Sequence, residues 1–428
     1  MSPRTRLFAA LALVVATAPV AAEEVMVRVG RLVDVENSRV LEDQAVTIVD
    51  GRIASVAPFA AASPMQGTKL VDWSAYTVVP GLMDMHSHLI GDLEQADEAA
   101  PLKSRPMRDA LLGAQHARQT LRAGFTTVRD VGTYRAYVDV ALRDAINAGW
   151  VDGPRMWVAG AYVTVPGGGG EVTGTGLPVP DDFRRGVAKG EAQVRKVVDD
   201  ILDNHADFIK IIATGAVLTA GTEPGANEFS EAEIRAAVEE AAKRGTFVAA
   251  HAHGAQGIKD AVRAGVRSIE HGSLIDDEGI ALMVKHGTYL VADIYDGDYI
   301  NEVGTREHWS EEILRKNRDT TDAQREGFRK AVKAGVNIAF GTDSGVYPHG
   351  LNARQFAYQV KYGQTPMQAI QSATIVSAKL LRQEANIGSI APGKFGDMVA
   401  LACDPLAQID CMTKVAGVIK GGVSIPLQ

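Results

Sequence analysis

The feature that most constrains the fold is a regular alternation of short apolar segments and amphipathic helical segments through the middle of the chain. The apolar segments end at His86 to His88, at Asp130, near Thr164, at Lys210, at His251, at His271, near Tyr295 and at Asp343. Helices are predicted between them, for example over residues 107–122, 192–204, 230–244 and 322–333. Eight such units over about 300 residues predict an α/β fold of the (β/α)8 TIM-barrel type, whose strands bring their C-terminal ends to one face.

Both ends of the chain carry a different pattern, in which runs of β-branched residues are separated by turns. Runs of this kind fill residues 25–29, 45–49, 397–401 and 415–420. Such runs favour strands. We therefore predict one small β domain, built from residues 23–79 together with 386–428, beside a barrel of residues 80–385.

The first 22 residues have the pattern of a secretory signal peptide. Arg4 and Arg6 precede an apolar run over residues 7–16, and small residues follow at 20–22. The run is too short to span a membrane stably, although a buried N-terminal helix is the alternative. We expect residues 1–22 to be removed and the mature protein to be periplasmic or secreted.

The composition argues against nucleic-acid binding and against a membrane span, and it leaves open whether the two cysteines pair. Lys plus Arg number 44 against 52 for Asp plus Glu, so the net charge of −8 argues against nucleic-acid binding. After the signal peptide no uninterrupted apolar run reaches 18 residues, so we expect no membrane span in the mature chain. Cys403 and Cys411 are the only cysteines, and in an exported protein they either pair or remain two free thiols.

His86 and His88 form the strongest local signal for a metal site. They are separated by one residue at the end of a predicted strand. Alternate residues of a strand share a face, so both imidazoles can point into the barrel mouth and bind one metal ion. Packing without a metal is the alternative for two histidines alone.

Three further strand ends carry candidate site residues, namely His251, His271 and Asp343. A lone His at such a place is often structural, and a lone Asp often caps the next helix. Because the strand ends of a barrel meet at one face, we expect these side chains to share a site with His86 and His88. A carboxylate beside His ligands can bind metal and accept a proton from water.

Lys210 lies inside the apolar run of residues 208–212. A buried Lys is costly and tends to lose its proton. The neutral amine can add carbon dioxide, and the resulting carbamate offers two oxygens that can bridge two metal ions. A Lys at the rim or the surface is the alternative.

Taken together, these residues resemble the ligand set of the amidohydrolase superfamily, in its prolidase-like, imidazolonepropionase-related branch. The resemblance rests on the order and placement of His86-Ser87-His88, Lys210, His251, His271 and Asp343, and on the segments 251–254, 269–272, 341–345 and 389–397. It extends through nearly the whole mature chain.

The resemblance implies a binuclear metal centre with residue-by-residue roles. His86, His88 and Asp343 would hold the first metal, His251 and His271 the second, and a carboxylated Lys210 would bridge them. Zinc is the expected metal, because His and carboxylate ligands suit it. Spacing alone leaves open whether His251 or His253 is the ligand; the family pattern favours His251.

The resemblance also implies an enzyme that releases a C-terminal amino acid from N-acyl amino acids or dipeptides. The resemblance extends to bacterial family members that hydrolyse ochratoxin A to ochratoxin alpha and phenylalanine. Asp343 would pass a proton from water to the leaving amine, and His253 would donate to the developing oxyanion, unless it only braces the site. Alternative functions are cyclic-amide hydrolysis or deamination, and, in another class, periplasmic binding without catalysis.

Substrate contacts and assembly complete the predictions. Arg129 is a candidate partner for a substrate carboxylate, or else pairs with a protein carboxylate, and Tyr295 and His349 are candidates for the pocket wall. Branch members often carry a His in the Gly-rich loop where this chain has Gly169, so its absence is expected to widen the pocket. The partner is a small-molecule amide, and the resemblance implies a homo-oligomer such as an octamer.

Overall fold

The computed structural model describes residues 24–64, 66–91, 99–172 and 175–427. The predicted signal peptide, residues 1–22, lies outside the described residues. Within this part of the chain no helix is both long and apolar enough to cross a membrane.

A seven-stranded mixed sheet combines strands from both ends of the chain, in the order β16-β15-β14-β4-β1-β2-β3. Its strands are β1 (Glu24–Asp34), β2 (Arg39–Val49), β3 (Arg52–Pro58), β4 (Lys69–Pro80), β14 (Met398–Leu401), β15 (Val415–Lys420) and β16 (Val423–Ile425). β4 joins the two groups, because it pairs in parallel with β1 and antiparallel with β14. The buried face holds Val27, Ile48 and Ile419.

The strands predicted at the two ends are confirmed as parts of β1, β2, β14 and β15. Gly421 and Gly422 end β15 with φ values of 55° and 78°, a backbone region that favours glycine. The short strand β16 beyond this turn was not predicted. The domain boundaries at residues 79 and 386 stay a prediction.

The middle of the chain forms two parallel sheets, ordered β5-β6-β7 and β13-β12-β11-β10-β9-β8. Their strands are β5 (Leu82–Ser87), β6 (Phe125–Asp130), β7 (Arg155–Val158), β8 (Tyr162–Val163), β9 (Ile209–Ile212), β10 (Val248–Ala252), β11 (Ser268–His271), β12 (Tyr289–Val291) and β13 (Asn337–Ile338). Backbone hydrogen bonds link the two sheets to each other at both of their edges. Met85 N donates to Phe340 O at 2.8 Å, and Asp207 N donates to Val158 O at 2.8 Å.

Helices alternate with these strands. They are α1 (Ala100–Lys103), α2 (Pro106–Arg122), α3 (Val138–Asn147), α4 (Glu191–Asp203), α5 (Glu231–Lys243), α6 (Ala255–Ala264), α7 (Asp277–His286), α8 (Asp296–Arg306), α9 (Glu311–Ala334), α10 (Gln355–Lys361), α11 (Pro366–Gln371) and α12 (Ser377–Leu380). Three predicted helices agree to within a residue or so. Ser230 and Glu233 form the predicted capping box of α5.

One helix and two strands differ from the sequence prediction. α9 begins at Glu311 rather than at Asp322, because the Ser310 hydroxyl caps it by accepting from Ile313 N. Regular pairing of β12 ends at Val291 and that of β13 at Ile338, before the predicted ends near Tyr295 and at Asp343. Asp343 has a φ of 55°, which turns the chain out of the strand direction.

The largest apolar cluster lies between the parallel strands and the helices that cover them. Ile209, Ile211, Val248 and Leu290 are buried there together with Phe328 of α9. The outward faces of the strands therefore supply this cluster, which leaves the opposite faces for polar side chains. Elsewhere, Cys403 and Cys411 form a disulfide with a Cα–Cα distance of 5.6 Å, which resolves the pairing that the sequence left open.

Candidate metal centre and active-site cavity

A cavity opens at the C-terminal ends of the parallel strands. All six residues predicted as metal ligands line it: His86, His88, Lys210, His251, His271 and Asp343. Each is buried, with 9% exposure or less. The structure therefore brings together residues that are far apart in sequence, as the barrel prediction required.

The first group of candidate ligands is His86, His88 and Asp343. His86 Nε2 lies 3.3 Å and His88 Nε2 lies 3.2 Å from Asp343 Oδ1. The other ring nitrogens face acceptors: His86 Nδ1 lies 3.0 Å from Glu270 Oε2, and His88 Nδ1 lies 2.8 Å from Gly132 O. Donation from Nδ1 leaves the Nε2 lone pair of each neutral ring facing Asp343, which is the tautomer of a metal ligand.

This group fits a divalent cation. Asp343 Oδ1 is buried and has no hydrogen-bond partner. A carboxylate oxygen and two nitrogen lone pairs that face one another repel unless a cation lies between them. The donor set therefore suits the metal that the resemblance implies.

The second group contains three histidines rather than the predicted two. The ligand atoms of His251, His253 and His271 all lie within 4.8 Å of one another. His271 Nδ1 lies 2.7 Å from Asp293 Oδ2, and His253 Nδ1 lies 2.7 Å from Ser273 Oγ. Because His251 and His253 both place a ligand atom in this group, geometry does not decide between them. The assignment of His251 as ligand and His253 as donor stays a prediction.

The imidazoles of His251 and His253 are in the form that binds metal. Burial lowers the pKa of His253 to about 3 and that of His251 well below its ordinary value. Both rings are therefore neutral at physiological pH, with a lone pair available.

Lys210 faces the cavity from β9. Its neighbours Ile209 and Ile211 point outward into the apolar cluster, so the alternation of the strand directs Lys210 inward, where it is 1% exposed. Burial lowers the pKa of Lys210 to about 8. A fraction of the amine is then neutral near pH 7, which is the form that reacts with carbon dioxide. Carboxylation itself stays a prediction.

Arg129 does not line the cavity, and the prediction that it contacts substrate is corrected. Its side chain has no exposed surface. The guanidinium donates to Met85 O at 2.6 Å, to Ser268 Oγ at 2.9 Å and to Glu270 Oε1 at 2.6 Å. These bonds hold the guanidinium behind the candidate metal ligands, which matches the alternative of a protein ion pair.

Glu270 is a functional residue that the sequence analysis missed. Its carboxylate joins Arg129 to His86 Nδ1 and so orients a candidate ligand. Burial raises the pKa of Glu270, whereas Arg129, His86 and Lys210 lower it, in that order of size. Together these three groups outweigh burial, so the pKa of Glu270 lies below its ordinary range. An acidic residue in a predicted strand and next to His271 was the available signal.

Tyr295 and His349 are also absent from the described residues that line the cavity. The Tyr295 hydroxyl accepts from Arg354 Nη1 at 2.8 Å. The His349 ring stacks on His116 with centroids 4.3 Å apart, and His349 Nε2 lies 3.1 Å from His88 O. Both predicted wall contacts are therefore corrected: Tyr295 braces the start of α8, and His349 braces the strand end that carries His88.

Gly169 lines the cavity as predicted from its loop, and its backbone is fixed on both sides. Gly169 N donates to Glu228 Oε1 at 2.8 Å, and Thr219 Oγ1 donates to Gly169 O at 2.8 Å. A Cβ at Gly169 would lie 3.1 Å from the Cβ of Ala216. A side chain here would displace Ala216, so the glycine keeps this part of the wall close to the Ala216 segment.

A polar wall on α8 and α9 was also missed. It includes Asp293 and Asp296 near the start of α8, and Asn317, Thr320 and Gln324 of α9. Gln324 Nε2 donates to Asp293 Oδ1 at 2.8 Å. Burial raises the pKa of Asp293, but His271 outweighs it and brings that pKa down to about 2. Asp293 is thus an ionised partner of a candidate ligand.

Comparison with known proteins agrees with this geometry. The family model described as the amidohydrolase family matches residues 77–425. The ochratoxinase of Aspergillus niger is 31% identical over 370 residues, which cover 81% of this chain and 75% of that protein.

Solved structures give the same result. A Xaa-Pro dipeptidase with bound methionine superposes with a TM-score of 0.88 at 38% identity, covering 94% of this chain and 99% of its own. The A. niger ochratoxinase structure superposes with a TM-score of 0.82 at 29% identity, covering 94% and 95%. The chain therefore belongs to the amidohydrolase family and is a hydrolase that acts on amide bonds.

Proposed function

We propose that this chain is a binuclear metal-dependent amide hydrolase that releases a C-terminal amino acid from N-acyl amino acids or dipeptides, including phenylalanine from ochratoxin A. The observation that carries the proposal is the pair of candidate ligand groups that meet in one cavity with Lys210. Similarity to a Xaa-Pro dipeptidase and to an ochratoxinase supports the substrate class.

In this proposal His86, His88 and Asp343 hold one metal ion, and His251 and His271 hold the second. A carboxylated Lys210 would serve as a ligand for both, and zinc is the proposed metal, because it suits nitrogen and carboxylate donors. The bound metals would lower the pKa of a water and polarise the scissile carbonyl. Glu270 keeps the His86 ring oriented through the 3.0 Å contact of its Oε2 with Nδ1.

The protein's own groups carry the proton through the reaction. Asp343 orients the attacking water, accepts its proton and passes that proton to the nitrogen of the leaving amine. His253 donates to the oxyanion that develops from the carbonyl oxygen, while Ser273 holds its Nδ1 at 2.7 Å. Both residues are buried, which limits the access of bulk water to these steps.

Three further proposals concern architecture and location. The parallel segments close into one (β/α)8 barrel, supported by the backbone bonds from Met85 N to Phe340 O and from Asp207 N to Val158 O. The protein is exported to the periplasm or secreted. It assembles as a homo-oligomer, and an octamer is the size to test by light scattering.

The test is a hydrolysis screen read by mass spectrometry. The panel contains ochratoxin A, N-acetyl and N-benzoyl amino acids, simple dipeptides and a cyclic amide, each with and without a chelator. Release of a free C-terminal amino acid that the chelator abolishes and zinc restores is expected. Turnover that persists after complete metal removal would contradict the proposal, and opening of the cyclic amide alone would favour a cyclic amidohydrolase.

Two variants make the screen specific to the site. Asp343→Asn should lose turnover by a factor of about 100 or more, because it lacks the group that moves the proton. Lys210→Ala should lose bound metal, measured by plasma mass spectrometry. Tyr295→Phe is the matched control, because its hydroxyl bonds Arg354 outside the cavity, and it should keep both metal and activity.

A further inference from the structure

Asp296 stands on the cavity wall at the first turn of α8. The residue lines the cavity and is only 9% exposed. Its backbone is held against α9, because Asn317 Nδ2 donates to Gly297 O at 2.8 Å. The approach is so close that a Cβ at Gly297 would lie 2.4 Å from Thr321 Oγ1. The backbone next to Asp296 is therefore held against α9.

No described Lys, Arg or His side chain forms an ion pair with Asp296. The side-chain partner of Asp296 is instead another acid, because its carboxyl forms a hydrogen bond with that of Asp293. Asp298 on the same helix differs, because Arg325 Nη2 lies 2.7 Å from its Oδ1. A buried carboxyl whose described partner is another carboxyl, with no basic side chain beside it, would be stabilised in its ionised form by a cation bound next to it.

Outside the candidate metal ligands, the described residues that line the cavity offer no cationic side chain that could pair with Asp296. The described lining residues include no arginine, and Lys210, which belongs to the metal centre, is their only amine. Leu218 and Ile300 add apolar surface to the lining. A substrate with a cationic nitrogen on a short aliphatic chain would place its charge at Asp296 and its carbons on this apolar surface.

We propose that Asp296 is a specificity-determining residue that binds a cationic nitrogen of the substrate. The source is either the free α-amino group of a dipeptide or the side chain of a basic C-terminal residue. This inference rests on the proposed function and narrows its substrate class: amides that carry such a nitrogen are preferred over neutral amides of the same shape.

The test uses two pairs of amides whose members differ in the cationic nitrogen. Alanyl-phenylalanine is compared with propionyl-phenylalanine, and N-acetyl-lysine with N-acetyl-norleucine. The wild-type enzyme should prefer the cationic member of one pair in kcat/KM. Asp296→Asn should reduce that preference roughly 10- to 100-fold, the range for a hydrogen bond between charged groups. The pair that responds identifies the source of the nitrogen.

Binding gives an independent readout. Ketomethylene analogues of the same four compounds cannot be hydrolysed, and calorimetry measures their affinity directly. Asp296→Asn should weaken the cationic analogue of the responding pair by a similar factor. Asp298→Asn is the matched control: it makes the same change on the same helix, but its carboxyl is already paired with Arg325, so both preferences should stay at wild-type values.

The outcomes separate this inference from the proposed function. Hydrolysis of the amides with unchanged preferences in Asp296→Asn, or equal binding of cationic and neutral analogues by the wild type, would overturn the inference alone. Failure of the metal-loaded wild type to hydrolyse any of the four amides would overturn the proposed function, and the analogues would still decide the Asp296 subsite.

Discussion

Replacing Arg129 with Met should destabilise the protein by about 3–5 kcal/mol, the usual cost of removing one partner from a buried ion pair. Arg129 and Glu270 have no exposed surface, and their contact is 2.6 Å. Arg129 is the main group that offsets the burial of Glu270 and keeps its pKa below the ordinary value. Without it a buried carboxylate loses its counter-charge, while Met85 O and Ser268 Oγ lose a donor.

This loss is measurable as a melting-temperature shift. Unfolding entropies near 2.1 cal/mol/K per residue give about 0.9 kcal/mol/K for a chain of this length, so 3–5 kcal/mol corresponds to about 3–6 °C. Calorimetry should be run on metal-free protein, because bound metal adds stability of its own. The same preparations, reloaded with zinc, give KM on the best substrate from the hydrolysis screen.

A second variant tests the cause. Arg129→Met combined with Glu270→Leu removes both charges and should recover at least half of the loss, since no uncompensated charge remains. The reasoning would be refuted by a double variant as unstable as the single one, or by a loss below about 1 kcal/mol in Arg129→Met. An increase in KM with an unchanged melting temperature would instead restore Arg129 as a substrate contact.

Three further predictions concern other parts of the chain. Burial raises the pKa of Glu228 to about 7. Because the folded protein then holds this proton more tightly than the unfolded chain, the free energy of unfolding should fall by about 3 kcal/mol as pH rises from about 4.5 to 7. Glu228→Gln should remove this fall, which melting curves at pH 4.5 and pH 8 would measure. A parallel pH response in both proteins would contradict it. Replacing Cys403 and Cys411 with Ala should cost about 2.5 kcal/mol in denaturant unfolding, since the bond closes a short loop with a sequence separation of 8; unchanged stability would mean that the bond is not formed. Gly169→His should lower kcat/KM for N-benzoyl more than for N-acetyl amino acids, because its Cβ already meets Ala216 at 3.1 Å; an unchanged substrate range would reject Gly169 as a determinant of pocket width.

Much of the site was predictable because local periodicity determines the face to which a side chain points. His86 lies on β5 and His88 follows directly after it, two residues apart and on the same face, and Lys210 alternates with two outward isoleucines on β9. Parallel strands then bring such residues to one end. The capping box at Ser230 was readable for the same reason, since its partners are three residues apart.

Contacts between distant elements were not predictable in this way. Arg129 was a candidate for a substrate carboxylate, with a protein ion pair as the alternative, and only the tertiary structure identifies Glu270 of β11 as its partner. Tyr295 and His349 lie beside predicted strand ends, but regular pairing stops earlier, and both side chains turn to other partners, Arg354 and His116.

The sequence by itself determined the strand and helix pattern, the small β segments at both ends and the residues able to bind metal, because each depends on neighbours a few positions apart. Only the tertiary structure decided which charges meet. The packing of α8 on α9 sets Asp296 on the cavity wall without a cation, although its neighbour Asp298 on the same helix has one. Such differences in burial and pairing arise from elements remote in sequence, and no local period encodes them.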